Sequence, residues 1–143
     1  MSQTAPCGSW KSPITAELVV SGAVGFGEVV VTENGIWWSE SRPDEGGRVA
    51  IVRDGVDVTP ENINVRTLVH EYGGGAWSVT SDDLIYSNYE DQRLYKLSQD
   101  GQNTILTPEP EISRGLRYAN GVPTPAGDWF ICVQEKHSEG NGE

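Results

Sequence analysis

The chain has 143 residues, enough for one domain with its own core and too few for two of ordinary size. Seventeen Gly and eight Pro, with Val, Ile, Thr, Trp and Tyr in short runs, favour a turn-rich all-β chain. The formal net charge of −11, from 21 acidic and 10 basic residues, repels a phosphate backbone or an anionic membrane and so argues against nucleic acid or membrane as a partner.

The opening "MSQTAPCGSW" has neither the basic start nor the apolar core of a signal peptide. No stretch approaches the roughly 18 apolar residues of a membrane span, so a cytoplasmic protein is expected. Cys7 and Cys132 form no CxxC pair or metal knuckle, and Cys132, inside "WFICV", reads as a buried reduced thiol. In "SPITAELVVSG", Ser12 is placed to cap a short helix, with Pro13 at its first position, Ile14 and Leu18 one turn apart, and Gly22 to stop it. Residues 1–25 thus read as an N-terminal extension with a short helix.

From residue 26 the chain repeats itself. "TENGIWWSES" at 32 to 41 matches "TSDDLIYSNY" at 80 to 89 with a shift of 48, and "VTPE" at 58 becomes "LTPE" at 106 with the same shift. "GRVAIVR" at 47 aligns with "QRLYKLS" at 92 with a shift of 45, the slip being made up between the third and fourth strands. A third copy begins at "TPAGDWFICVQE", where Trp129 falls 45 positions after Leu84. Four strands per unit at this period describe β-propeller blades. The expected fold is all-β, a partial β-propeller of about two and a half four-stranded blades: blade one 26–65, blade two 66–113, the start of blade three 114–143. Trp37, Trp38, Tyr86 and Trp129 take equivalent strand positions and read as blade packing.

Between the first two units stands "VHEYGGGAW" at 69 to 77. A zinc-binding His-Glu motif needs a second His four positions on, along a helix, but Gly74 stands there in a glycine run that breaks helices. An oxyanion loop needs a nucleophile, and the chain has no G-x-S-x-G turn. Gly73, Gly74 and Gly75 are better read as a junction where backbones converge near a propeller axis. The charged loops "RPDEGGR" and "EDQR" read as solvated turns and lack the spacing of a calcium loop. Gly25 and Gly27 lead into "EVVV", a strand, where a phosphate cradle requires a helix. No catalytic, cofactor-binding or metal-binding residue is assigned, and no cofactor is expected.

The stretches "GSWKSPITAELV", "RPDEGGR", "NVRTLVHEYGGGAW", "YSNYEDQRLY" and "DWFICVQEKH" together resemble the N-terminal propeller of bacterial serine peptidases in the prolyl oligopeptidase family, of the dipeptidyl aminopeptidase or acylaminoacyl peptidase type. The resemblance implies a propeller that gates the access of short peptides to a C-terminal α/β-hydrolase domain. It makes Trp10, Lys11, His70, Glu71, Tyr72, Gly73, Gly74 and Gly75 candidates for domain contact or for facing the channel. On this reading the chain is a truncated open arc whose partners are the remaining blades and the hydrolase domain, with self-association through exposed blade edges. The competing reading is a free-standing interaction module, disfavoured because neither the Gly-His nor the Trp-Asp dipeptide of WD repeats occurs.

Overall fold

The structure is a computed structural model that describes residues 4, 6–9, 11–81 and 83–138. One short helix, α1 (Ala16–Val20), precedes the strands. Its cap is Thr15, whose Oγ1 accepts the Leu18 N–H at 3.1 Å, and not Ser12, which closes a tighter turn onto the Ile14 N–H. The helix therefore starts later than the Ser-Pro signal suggests. Ile14, Leu18 and Val19 are exposed, so no buried apolar face lengthens it beyond one turn.

Ten strands follow. The first sheet is a meander of β1 (Gly25–Thr32), β2 (Gly35–Arg42), β3 (Arg48–Arg53) and β4 (Val56–Asp57). The second repeats it with β5 (Trp77–Thr80), β6 (Asp83–Ser87), β7 (Leu94–Leu97) and β8 (Asn103–Ile105). An antiparallel pair, β9 (Leu116–Pro123) and β10 (Phe130–Lys136), completes the strands. These antiparallel four-stranded sheets are compatible with part of a propeller.

Cross-strand pairing tests the repeat directly. Thr32 pairs with Gly35 and Thr80 with Asp83, confirming the shift of 48 for the first two strands. Val52 pairs with Asp57 and Tyr95 with Ile105, which restores 48 at the fourth. The third strand differs from the sequence alignment. Trp38 pairs with Val52 and Tyr86 with Tyr95, a shift of 43 and not 45. The cause lies in the β2–β3 hairpin, which runs on to Arg42 and Arg48 around a 3-10 turn at Pro43–Glu45, whereas β6 and β7 separate after Ser87 and Leu94. An error of two residues leaves the side chains on the correct face, because strand facing has period two.

That facing builds the core. Trp37 and Ile51, on one face of the first sheet, pack with Trp77, Leu84, Tyr86 and Leu97 of the second. The opposite face of the second sheet presents Ile85 and Leu94 to Tyr118, Leu116, Phe130 and Cys132 of the β9–β10 pair. The second sheet is thus covered on both sides. Cys132 is half-buried, and burial pushes its thiol pKa up.

Two aromatic expectations are corrected. Trp37 and Trp38 are neighbours on a strand and so face opposite ways; Trp37 is buried in the core, while the Trp38 indole N–H donates to Glu40 Oε1 at 2.8 Å on the other face. Trp129 lies just outside β10 and is 71% exposed; Phe130 and Cys132 take the inward positions instead.

Candidate functional site

The segment between β4 and β5 carries the glycine run, and its first half is anchored from below. Val65 bridges Asn88, and Thr67 and Val69 are buried. The Leu68 N–H donates at 2.7 Å to Oε1 of Gln92, itself fully buried, while Arg117 Nη1 donates to the Leu68 carbonyl at 3.3 Å.

Beyond Val69 the backbone turns left-handed. His70 (φ 58°) and Glu71 (φ 64°) adopt the region that non-glycine residues rarely enter, followed by Gly73, Gly74 and Gly75 at φ 78°, 103° and 60°. At Gly75 three sheets meet. Its N–H donates to Glu28 Oε1 of β1 at 2.8 Å, and its carbonyl accepts the Asn120 N–H of β9 at 2.8 Å. A Cβ at Gly75 would lie 2.9 Å from the Asn120 backbone nitrogen and closer still to its side chain. Both partners come from irregular strand positions: pairing slips between Phe26 and Val29 on β1, and again opposite Asn120, between Ile131 and Val133 on β10. Bulges of this kind re-aim a residue out of its ladder, here toward the junction.

His70 makes the second tie. Its backbone N–H donates to Glu135 Oε1 of β10 at 3.0 Å, with the ring Nδ1 3.4 Å from the same oxygen and His137 Nε2 3.3 Å from Oε2. The His70 N–H, helped by His137, holds the Glu135 carboxyl below its ordinary pKa. Beside the run an open groove of about 240 Å³ is lined by Glu28, Tyr72, Gly73, Gly74 and Trp77.

Of the residues singled out by sequence, His70 and Gly75 are held in this knot. Gly73 bonds back to the Val69 carbonyl, Gly74 has open space around it, and the Glu71 and Tyr72 side chains are exposed. Lys11 is exposed, and among the described residues no hydrogen bond or ion pair links it to the junction. Trp10 lies outside the described residues. Sequence reasoning missed Glu28, Gln92, Asn120 and Glu135, whose roles come from bulges and from neighbours far along the chain. Among the described residues no group of His, Cys, Asp and Glu is placed to hold a metal ion. No helix among them is long and apolar enough to cross a membrane.

No family model and no curated protein matches the chain. Solved structures do. The chain is 37% identical, over 95% of its length, to a Mycobacterium tuberculosis puromycin-hydrolyzing peptidase, with a TM-score of 0.80. It is 34% identical over 96% of its length to a puromycin hydrolase, with a TM-score of 0.78. A mutant of puromycin hydrolase complexed with PGG gives 34% identity over 94% of the chain and a TM-score of 0.77. The chain is thus similar to part of these prolyl oligopeptidase-family peptidases. It spans 22 to 23% of the length of these three structures and corresponds to their N-terminal region. In this chain the glycine run joins the two four-stranded sheets, and Gly75 is the glycine fixed between the first and third groups of strands.

Proposed function

We propose that this chain is a non-catalytic propeller segment of a prolyl oligopeptidase-like serine peptidase of the dipeptidyl or acylaminoacyl type, whose intact form admits short peptides to a C-terminal α/β-hydrolase domain. In this reading the two meanders are blades one and two, and β9–β10 begins blade three, near the boundaries 26–65, 66–113 and 114–143. The observation that carries it is the knot at Gly75, where Glu28 and Asn120 bring the strands before and after the second sheet onto one backbone position. Convergence of successive sheets on one point is what fanning about an axis requires. The likeness to puromycin-hydrolyzing peptidases supplies the peptidase class.

The residues at the junction suit positioning and not bond cleavage. The Glu135 carboxyl is held below its ordinary pKa by the His70 N–H with help from His137, and the groove beside Tyr72 is open. The exposed Glu71 and Tyr72 and the unobstructed Gly74 are positioned to meet a hydrolase domain or a passing peptide. Incubating the purified chain with chromogenic aminoacyl and acyl-aminoacyl peptides and with a serine-directed fluorophosphonate should give neither turnover nor a covalent adduct. A labelled serine in this chain would refute the assignment of the chemistry to another domain.

A further inference from the structure

Two apolar surfaces are left open on opposite sides of the stack. Phe26, Val29, Val31 and Ile36 crowd the outer face of the first sheet beside Trp38, with Val31 74% exposed. Val122, Trp129, Ile131 and Val133 do the same beyond β9–β10, with Ile131 67% exposed.

The repeat says what each surface is shaped to meet. Val29, Val31, Ile36 and Trp38 hold the register positions of Trp77, Val79, Leu84 and Tyr86 in the second sheet. Those four pack on the downstream face of the first sheet, the face carrying Trp37 and Ile51. The outer face of the first sheet is therefore built like the receiving half of an interface that the chain already contains. On β9–β10, Phe130 and Cys132 face the second sheet, so the alternate residues Ile131 and Val133 lie on the side that Trp37 and Ile85 occupy in their own sheets. This is the inserting half. The two surfaces are complementary and not alike.

We propose that the chain associates with a second copy of itself head to tail, the β9–β10 face of one copy packing on the β1–β2 face of the next as the first sheet packs on the second. Such contacts are heterologous: each copy uses one surface as donor and the other as acceptor, and the chain of contacts closes into a ring or runs on as a filament. The inference rests on the register repeat and not on the peptidase reading, so either can fail without the other.

The test is light scattering after size exclusion, from micromolar to millimolar protein. The wild-type chain should exceed its monomer mass of 15.6 kDa, increasingly so with concentration. Val31→Lys destroys the receiving surface, Ile131→Lys the inserting one, and each variant alone should run as a monomer with unchanged circular dichroism. Mixed in equal amounts they should form a dimer and nothing larger, because one intact surface of each kind remains. A wild-type monomer throughout, single variants that still assemble, or a mixture that stays monomeric would overturn the proposal. Should either variant unfold, Val29→Lys and Val122→Lys make the same test on the same two surfaces.

Discussion

The two four-stranded sheets place apolar side chains at matching register positions and treat them oppositely. Ile36 in the first sheet is exposed, whereas Leu84, its counterpart in the second, is completely buried. Residue type and strand position are alike; only the neighbouring sheet differs. Burial here is set by stacking order, and stacking order is a property of the whole chain that no single strand encodes.

The largest effect should separate these two positions. Leu84→Ala removes a side chain from the core shared by the two sheets and should cost about 2–5 kcal/mol. Ile36→Ala should stay within about 1 kcal/mol in the monomer, in the range of surface changes. Urea unfolding at low protein concentration measures both, and equal losses would dissolve the contrast between the sheets.

A second contrast lies within the glycine run. Gly74→Ala meets open space, so its cost is backbone strain alone, about 1–3 kcal/mol at φ 103°. Gly75→Ala adds collision with Asn120 and should cost more by about 1–3 kcal/mol, the usual penalty of overpacking. Thermal unfolding of the pair decides whether Gly75 is a contact between strand groups or only a bend. Equal destabilisation would leave it a bend.

The loops after β2 and β6 differ in kind. In the first sheet the loop closes with ions: Arg42 reaches Asp57 and Glu40, and Arg48 reaches Glu45. In the second, Gln92 turns inward with φ 61° to receive the Leu68 N–H. Gln92→Leu strands that N–H and should cost about 1–3 kcal/mol, with faster amide exchange at Leu68 as its local signature. Unchanged exchange there would show that the buried amide does not hold the junction.

Much of this was legible in the sequence, because a period of 48 and alternating apolar residues are local signals. The strands, their order and the place of the glycine run between the two sheets follow from them. The third-strand shift was misjudged by two residues, since loop length, unlike facing, carries no periodic signature. Trp129 misled because an aromatic residue at a plausible strand start resembles core until the register is known. Glu28 and Asn120 were illegible for a different reason. Their importance arises where strand pairing slips, and slippage depends on the partner strand.

The smallest effect concerns charge and again sets the first sheet against the junction. Asp57 is held below its ordinary pKa by its hydrogen bonds from Arg42, and Glu135 by the His70 N–H with help from His137. Both carboxyls have a folded pKa below the unfolded one, so each stabilises the fold above the unfolded value of about 4 and loses that contribution as pH falls through the folded value. Asp57 is exposed and Glu135 is only partly buried, so solvent screening keeps the gain modest. Glu135→Gln retains an oxygen for the His70 N–H but removes the titration, so unfolding followed between neutral and acid pH should show a shallower acid limb than wild type. Asp57→Asn should flatten the same limb by way of the Arg42 cluster, and the double variant should show the sum, because the two sites share no partner. If Glu135→Gln leaves the acid limb as steep as wild type, the tie between β10 and His70 carries no net charge stabilisation, and its contribution is that of a neutral hydrogen bond.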